Sequence, residues 1–219
     1  MKIAISKYKF YRLGWTLIMD KNLIAVYGGC FNPPTVAHIQ VMKNLTEIPN
    51  LYKVIVVPVG DKYNKKELIK SEHRINMLHR VDLDKVEISE IETSNTKTLT
   101  TIETLNILKN QYPNKQIRFV VGADNLIDIV NWNNVEDILR DFGLIVLNRG
   151  AFNVEDIIRN NEVLNIYKDN IEEVHIDDKY KDVTSTEVRN ALKTNNTRIL
   201  ETYLDREIFK YILNNKLYM

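Results

Sequence analysis

The 219 residues suffice for one large domain with a closed apolar core, and 44% apolar against 27% charged residues excludes a disordered chain. Thirty basic and 29 acidic residues leave a net charge of +1, so no global field draws the chain onto nucleic acid or an anionic membrane, and any anion has to be bound locally. The single cysteine, Cys30, excludes an intrachain disulfide and points to a reducing, cytoplasmic setting.

Residues 1–22 mix Lys, Arg and aromatics without a continuous apolar run, so they read as neither signal peptide nor membrane span. Two readings of this extension stand: Met19 is the natural start and the upstream segment an artefact, or the segment adds a strand or turn to the core. From residue 23 onward, short β-branched runs alternate with helical patterns. Runs 23–28, 53–59, 85–89, 116–122, 143–149 and 172–176 have the length and Val/Ile content of buried strands. Helical patterns fall at about 35–47, 71–80, 100–111, 135–141, 154–160, 185–193 and 205–215. This rhythm predicts an α/β fold over 23–219: a Rossmann-like, doubly wound parallel sheet of about six strands with a small helical C-terminal part. Such a sheet binds ligands outside the carboxyl ends of its strands, which directs attention to the loops that follow them.

The first such loop runs Gly28-Gly29-Cys30-Phe31-Asn32-Pro33-Pro34-Thr35. The glycines are expected to turn the backbone sharply toward a ligand, and the prolines to hold the chain extended until Thr35 caps the next helix. His38 then lies in the first helical turn, where free N–H groups and the dipole attract phosphate, and an imidazole there would gain positive character beside a polyphosphate. Cys30 reads as a small packing residue. After the second strand, Lys62, Lys65 and Lys66 stand in a strand-exit loop well placed to hold a phosphate as point charges, although a solvated basic loop is the commoner explanation of such a run. Arg74, on the following helix, is expected to tie that helix to the loop by an ion pair. Thr100, Thr101 and Thr104 open the third helix, either as ordinary caps or as the lining of a ring pocket. Gly122 and Asp124 end the fourth strand, where a carboxylate can accept from a ribose or order the water around a metal, and Trp132 offers a flat face for a pyridine ring. Thr184, Ser185, Thr186 and Arg189 read as a helix start whose N–H groups, hydroxyls and guanidinium form a polyphosphate clamp.

Together these segments resemble the nicotinamide/nicotinate mononucleotide adenylyltransferases. Gly29, Phe31, Asn32, Pro33, Thr35 and His38 are in register with the first nucleotidyltransferase signature, and residues 183–189 with the second, some 150 residues later. Ala37 departs from the commonest pattern but lies within this branch's variation. The run Val59-Gly60-Asp61-Lys62-Tyr63-Asn64-Lys65-Lys66 is similar to the family's VGDxYxKK, and Gly122-Ala123-Asp124 followed by Trp132 marks the pyridine branch. Arg149 also falls on a family position. The resemblance implies transfer of AMP from ATP to nicotinate or nicotinamide mononucleotide, with release of pyrophosphate. It implies catalytic roles for His38, Arg189 and Lys65. ATP contacts are implied at Gly28, Gly29, Cys30, Phe31, Thr35, His38, Gly122, Asp124, Thr184, Ser185, Thr186 and Arg189. Mononucleotide contacts are implied at Tyr63, Lys65, Lys66, Thr101, Thr104, Trp132 and Arg149. Mg²⁺ would be held by the ATP phosphates and water rather than by direct protein ligands. Two competitors are a sister transferase with another phosphorylated acceptor, against which Trp132 argues, and a non-catalytic nucleotide sensor, against which retention of His38 and Arg189 argues.

Overall fold

The computed structural model describes residues 10–13, 16–19, 21–150, 152–176 and 178–219. Within the N-terminal extension, β1 (Phe10–Leu13) and β2 (Thr16–Met19) pair antiparallel as a separate two-stranded sheet, with Phe10 opposite Met19. Residues 1–9, 14, 15 and 20 of that extension lie outside the described residues.

Six further strands form one parallel sheet: β3 (Leu23–Gly29), β4 (Leu51–Pro58), β5 (Val86–Ile88), β6 (Gln116–Gly122), β7 (Leu144–Asn148) and β8 (Ile171–His175). Their order, β5-β4-β3-β6-β7-β8, makes the chain wind outward from β3 to one edge, then return to β6 and wind to the other. The switch point therefore falls between β3 and β6, and the crevice above it is the predicted ligand site. The helices are α1 (Val36–Thr46), α2 (Ser71–Leu78), α3 (Thr101–Gln111), α4 (Ala123–Leu126), α5 (Val135–Asp141), α6 (Val154–Arg159), α7 (Glu162–Ile166), α8 (Ser185–Lys193), α9 (Thr197–Tyr203) and α10 (Arg206–Asn214).

Side chains alternate across a strand, and in β3 both faces are buried. Ile24 and Val26 join the core beneath α3 and α5, while Leu23 and Ala25 join the core beneath α1 with Val41, Met42 and Leu45. A third apolar cluster seats α8, α9 and α10 against Met77 of α2 and Ile39 of α1. That contact fixes the C-terminal helices beside the first loop. Among the described residues no helix is long and apolar enough to cross a membrane.

The predicted elements are present with shifted ends. Strand β4 begins at Leu51, which is buried and pairs with Leu23, two residues before the β-branched run that announces it. Helices α4, α7 and α9 were not anticipated. Two of them are capped by asparagines, Asn161 accepting from Leu164 N and Asn196 from Ile199 N.

Candidate active site

A cleft of about 580 Å³ opens at the carboxyl ends of β3, β6 and β7. Gly28, Gly122, Asp124, Trp132 and Arg149 all line it, so the sequence-predicted residues from three separate loops meet at the switch point. Tyr27, Phe119, Phe152 and Lys181 line it as well and were not foreseen. Tyr27 and Phe119 lie inside strands that read as plain core; only their position near the strand ends distinguishes them. The Trp132 ring meets Phe119 edge-on, with centroids 5.9 Å apart, so it is half-buried in the wall and still borders the cleft.

Asp124 is placed by Gly122. This glycine caps α4, and a Cβ on it would stand 2.2 Å from Asp124 Oδ1. The carboxylate thus occupies space that only glycine leaves open.

The first loop is built differently from its reading in the sequence. Gly28 and Gly29 both remain in β3, and the turn is made at Phe31, whose φ is +47°. Gly29 instead makes room for the Phe31 ring, which a Cβ would approach to 3.0 Å. Phe31 is buried and packs edge-on against Tyr27 and His38, so its ring shapes the loop. Thr35, expected to contact ATP, is fully buried. It caps α1 and acts on His38: its backbone N–H donates to Nδ1 at 3.0 Å, and its hydroxyl lies 2.8 Å from the same nitrogen. A ring nitrogen that accepts a backbone N–H carries no proton, so the imidazole proton sits on Nε2 and is available as a donor. Burial, then the positive charges of Arg149 and Lys65, push His38 down to about 4. At neutral pH the ring is therefore neutral, and Arg149 and Lys65 supply the charge around it.

The second helix tip rests directly on this loop. Ser185 Oγ donates to Pro33 O at 2.8 Å, and Arg189 Nη1 donates to Asn32 O at 2.9 Å. Thr184 accepts from Glu187 N at 3.1 Å as the cap of α8, and Thr186 Oγ1 accepts from Arg189 Nη2 at 3.2 Å. The two tips thus converge, but Arg189 is only 8% exposed and is absent from the cleft lining. Because Ser185 docks on Pro33, a guanidinium one turn into α8 lies against Asn32 rather than in the cleft lining. Its Nε is buried with no hydrogen-bond partner.

Asn32 is the hub of this arrangement. Its Nδ2 donates to Glu67 O at 2.9 Å, and its Oδ1 accepts from Ile69 N at 3.3 Å and from Tyr218 O–H at 2.9 Å. Arg74 is fully buried and donates to Ile69 O, Cys30 O and Val59 O at 3.0, 3.0 and 2.7 Å, and to Asp61 at 3.3 Å. It ties α2 to two loops, as expected, and gives the half-buried Cys30 a structural part through its carbonyl. Tyr63, Lys65 and Lys66 stay exposed on the 60s loop. Thr100 caps α3 together with Glu103, whose carboxylate is held at about 2 by Lys97 and the Thr100 donors. Thr104 is buried and donates to Glu92 at 2.9 Å, so it cannot line a ring pocket; Thr101 is half-buried and outside the cleft. Among the described residues no group of three or more His, Cys, Asp or Glu could hold a metal ion.

Comparison with known proteins gives this geometry its context. Residues 26–191 match the family model described as cytidylyltransferase-like. A probable nicotinate-nucleotide adenylyltransferase of Acholeplasma laidlawii is 34% identical over 90% of this chain and 97% of its own length. The chain belongs to the nicotinate-nucleotide adenylyltransferase family. Another member, from Endomicrobium trichonymphae, is 30% identical over 89% of this chain and 98% of its own. The fold is also that of the family: the Plasmodium falciparum nicotinic acid mononucleotide adenylyltransferase, solved with NaAD, superimposes with a TM-score of 0.76 at 24% identity, covering 90% of this chain and 97% of that one.

Proposed function

We propose that this chain transfers AMP from ATP to nicotinate or nicotinamide mononucleotide, forming the dinucleotide and pyrophosphate in the cytoplasm. The relatives' names support the acid as the natural acceptor. The observation that carries the reading is the neutral His38, presenting Nε2–H from the first turn of α1 beside Arg149 and Lys65, next to a cleft that holds Asp124 and Trp132.

An oxygen of the mononucleotide phosphate attacks the α-phosphorus in line, the bond to the bridging oxygen of the β-phosphate breaks, and pyrophosphate leaves. No protein nucleophile takes part, so catalysis rests on positioning and on charge neutralisation. His38 donates its Nε2–H to a phosphate oxygen where charge accumulates, and the free N–H groups at the start of α1 and α8 add to it. Lys65, Lys66 and Arg149 hold the acceptor phosphate, Tyr63 flanks it, and Trp132 stacks on the pyridine ring. Asp124 accepts from a ribose hydroxyl. Gly28, Gly29, Cys30, Thr184, Ser185 and Thr186 contribute backbone and hydroxyl groups along the triphosphate. Mg²⁺ fits as a companion of the nucleotide: with one carboxylate, Asp124, among the cleft residues, it would be held by phosphate oxygens and water, where it neutralises charge on the leaving group.

The test is a panel of phosphorylated acceptors incubated with ATP and Mg²⁺, read as pyrophosphate release. Turnover confined to the two pyridine mononucleotides is expected. Turnover with a different acceptor, or none with any, overturns the reading.

A further inference from the structure

Glu67 is used by none of the steps above, yet it sits in a costly backbone conformation beside the second helix tip. Its φ is +62°, in the left-handed region that side chains rarely adopt. The conformation is pinned at the carbonyl, which accepts from Asn32 Nδ2 at 2.9 Å, and it carries the carboxylate to α8. There Oε1 takes a 2.8 Å bond from Lys193, while Oε2 lies 3.6 Å from Arg189 Nε, too far for a hydrogen bond. That nitrogen is buried with no other partner, in an arginine only 8% exposed. A desolvated guanidinium edge has thus been left with a loose counter-charge, about half exposed, on a loop that also carries Lys65 and Lys66. A permanent buried ion pair would be closer and doubly bonded. A loose pair on an exposed carboxylate is one that a stronger, multiply charged anion displaces.

We propose that Glu67 is a resident counter-anion for Arg189, yielding the guanidinium edge to the triphosphate of ATP and turning to Lys193 alone when the nucleotide binds. The inference rests on the adenylyltransferase reading. On this view Glu67 lowers nucleotide affinity, because a phosphate must first displace it, and the open enzyme is spared an uncompensated buried charge.

The test is calorimetric titration of the full chain with α,β-methylene-ATP in Mg²⁺ buffer at low salt. Glu67→Gln, which keeps the shape and removes the charge, is expected to bind about fivefold tighter than the wild type, the size that a partly exposed ion pair supports. Glu67→Gly also removes the carboxylate and frees the left-handed backbone of strain, so it guards against a folding defect in the first variant; the same tightening is expected in a chain that still unfolds in one cooperative transition. Unchanged or weaker binding in a folded variant overturns the proposal and makes Glu67 a structural tie. Failure of the wild type to bind the analogue or release pyrophosphate would instead remove the underlying function.

Discussion

Replacing Gly122 by alanine adds one methyl group to the rim of the cleft and isolates the role of Asp124. Gly122 has φ −74° and ψ 151°, a conformation open to any residue, so alanine brings no backbone strain. Its Cβ would lie 2.2 Å from Asp124 Oδ1, and van der Waals contact demands that the carboxylate retreat by at least about 1 Å. Asp124 is exposed and can swing away at a cost of about 0.5–1.5 kcal/mol, so the melting temperature should change little. The contact with a ribose hydroxyl is another matter: a hydrogen bond to a charged acceptor contributes roughly 1.5–3 kcal/mol, which is roughly 10- to 100-fold in kcat/KM. Steady-state pyrophosphate release, with ATP varied at saturating mononucleotide, measures it. Asp124→Asn should fall in the same range. A Gly122→Ala enzyme with the wild-type kcat/KM would refute the assignment of Asp124, because the carboxylate would then have moved without consequence.

Four further outcomes are expected. His38→Ala should lower kcat by on the order of a hundredfold while the chain stays folded at the assay temperature, checked by steady-state kinetics and circular dichroism. Because His38 titrates at about 4 in the fold against 6.5 unfolded, its contribution to stability is complete above pH 6.5 and is lost as the pH falls toward 4, by up to about 3 kcal/mol. Urea titrations at pH 7 and 4.5 should show that loss, and His38→Gln should reduce it. Arg74→Met should cost about 3–5 kcal/mol, since it strands three carbonyls and Asp61, and a small shift in the urea midpoint would contradict this. Tyr218→Phe leaves Asn32 Oδ1 with only the Ile69 N–H and should cost about 1 kcal/mol in the same titration.

The parallel sheet was legible because its inner strands β3, β4 and β7 are largely buried and read as Val/Ile runs, whereas the edge strands β5 and β8, with exposed Glu87 and Glu172, were announced by fewer β-branched residues; Leu51 escaped because leucine does not announce a strand. The part of the site carried by loop positions was legible for a similar reason: Asp124, Trp132 and Arg149 follow strand ends, and topology alone brings strand ends together. What could not be read was the direction of each side chain. Thr35 and Thr104 look like surface hydroxyls in sequence, but their helices turn them inward, the first onto an imidazole and the second onto Glu92. The surroundings of Arg189 were not legible either, because its position depends on Ser185 meeting Pro33, a contact between segments 152 residues apart. The tautomer of His38 was not legible for the same reason: neither the Thr35 N–H on its ring nor the cations beside it are visible along the chain.

The bond between Asn32 and Tyr218 joins residues 186 positions apart, one in the first crossover of the sheet and the other beyond its last helix. Ribosomal synthesis delivers these two groups at opposite ends of the elongation time for this stretch. Strand pairing can begin as soon as β4 emerges, but the first loop stays one hydrogen-bond donor short until Tyr218 clears the exit tunnel. Scaffold formation and active-site completion are thus separate events during translation, and a chain released early would have the first without the second.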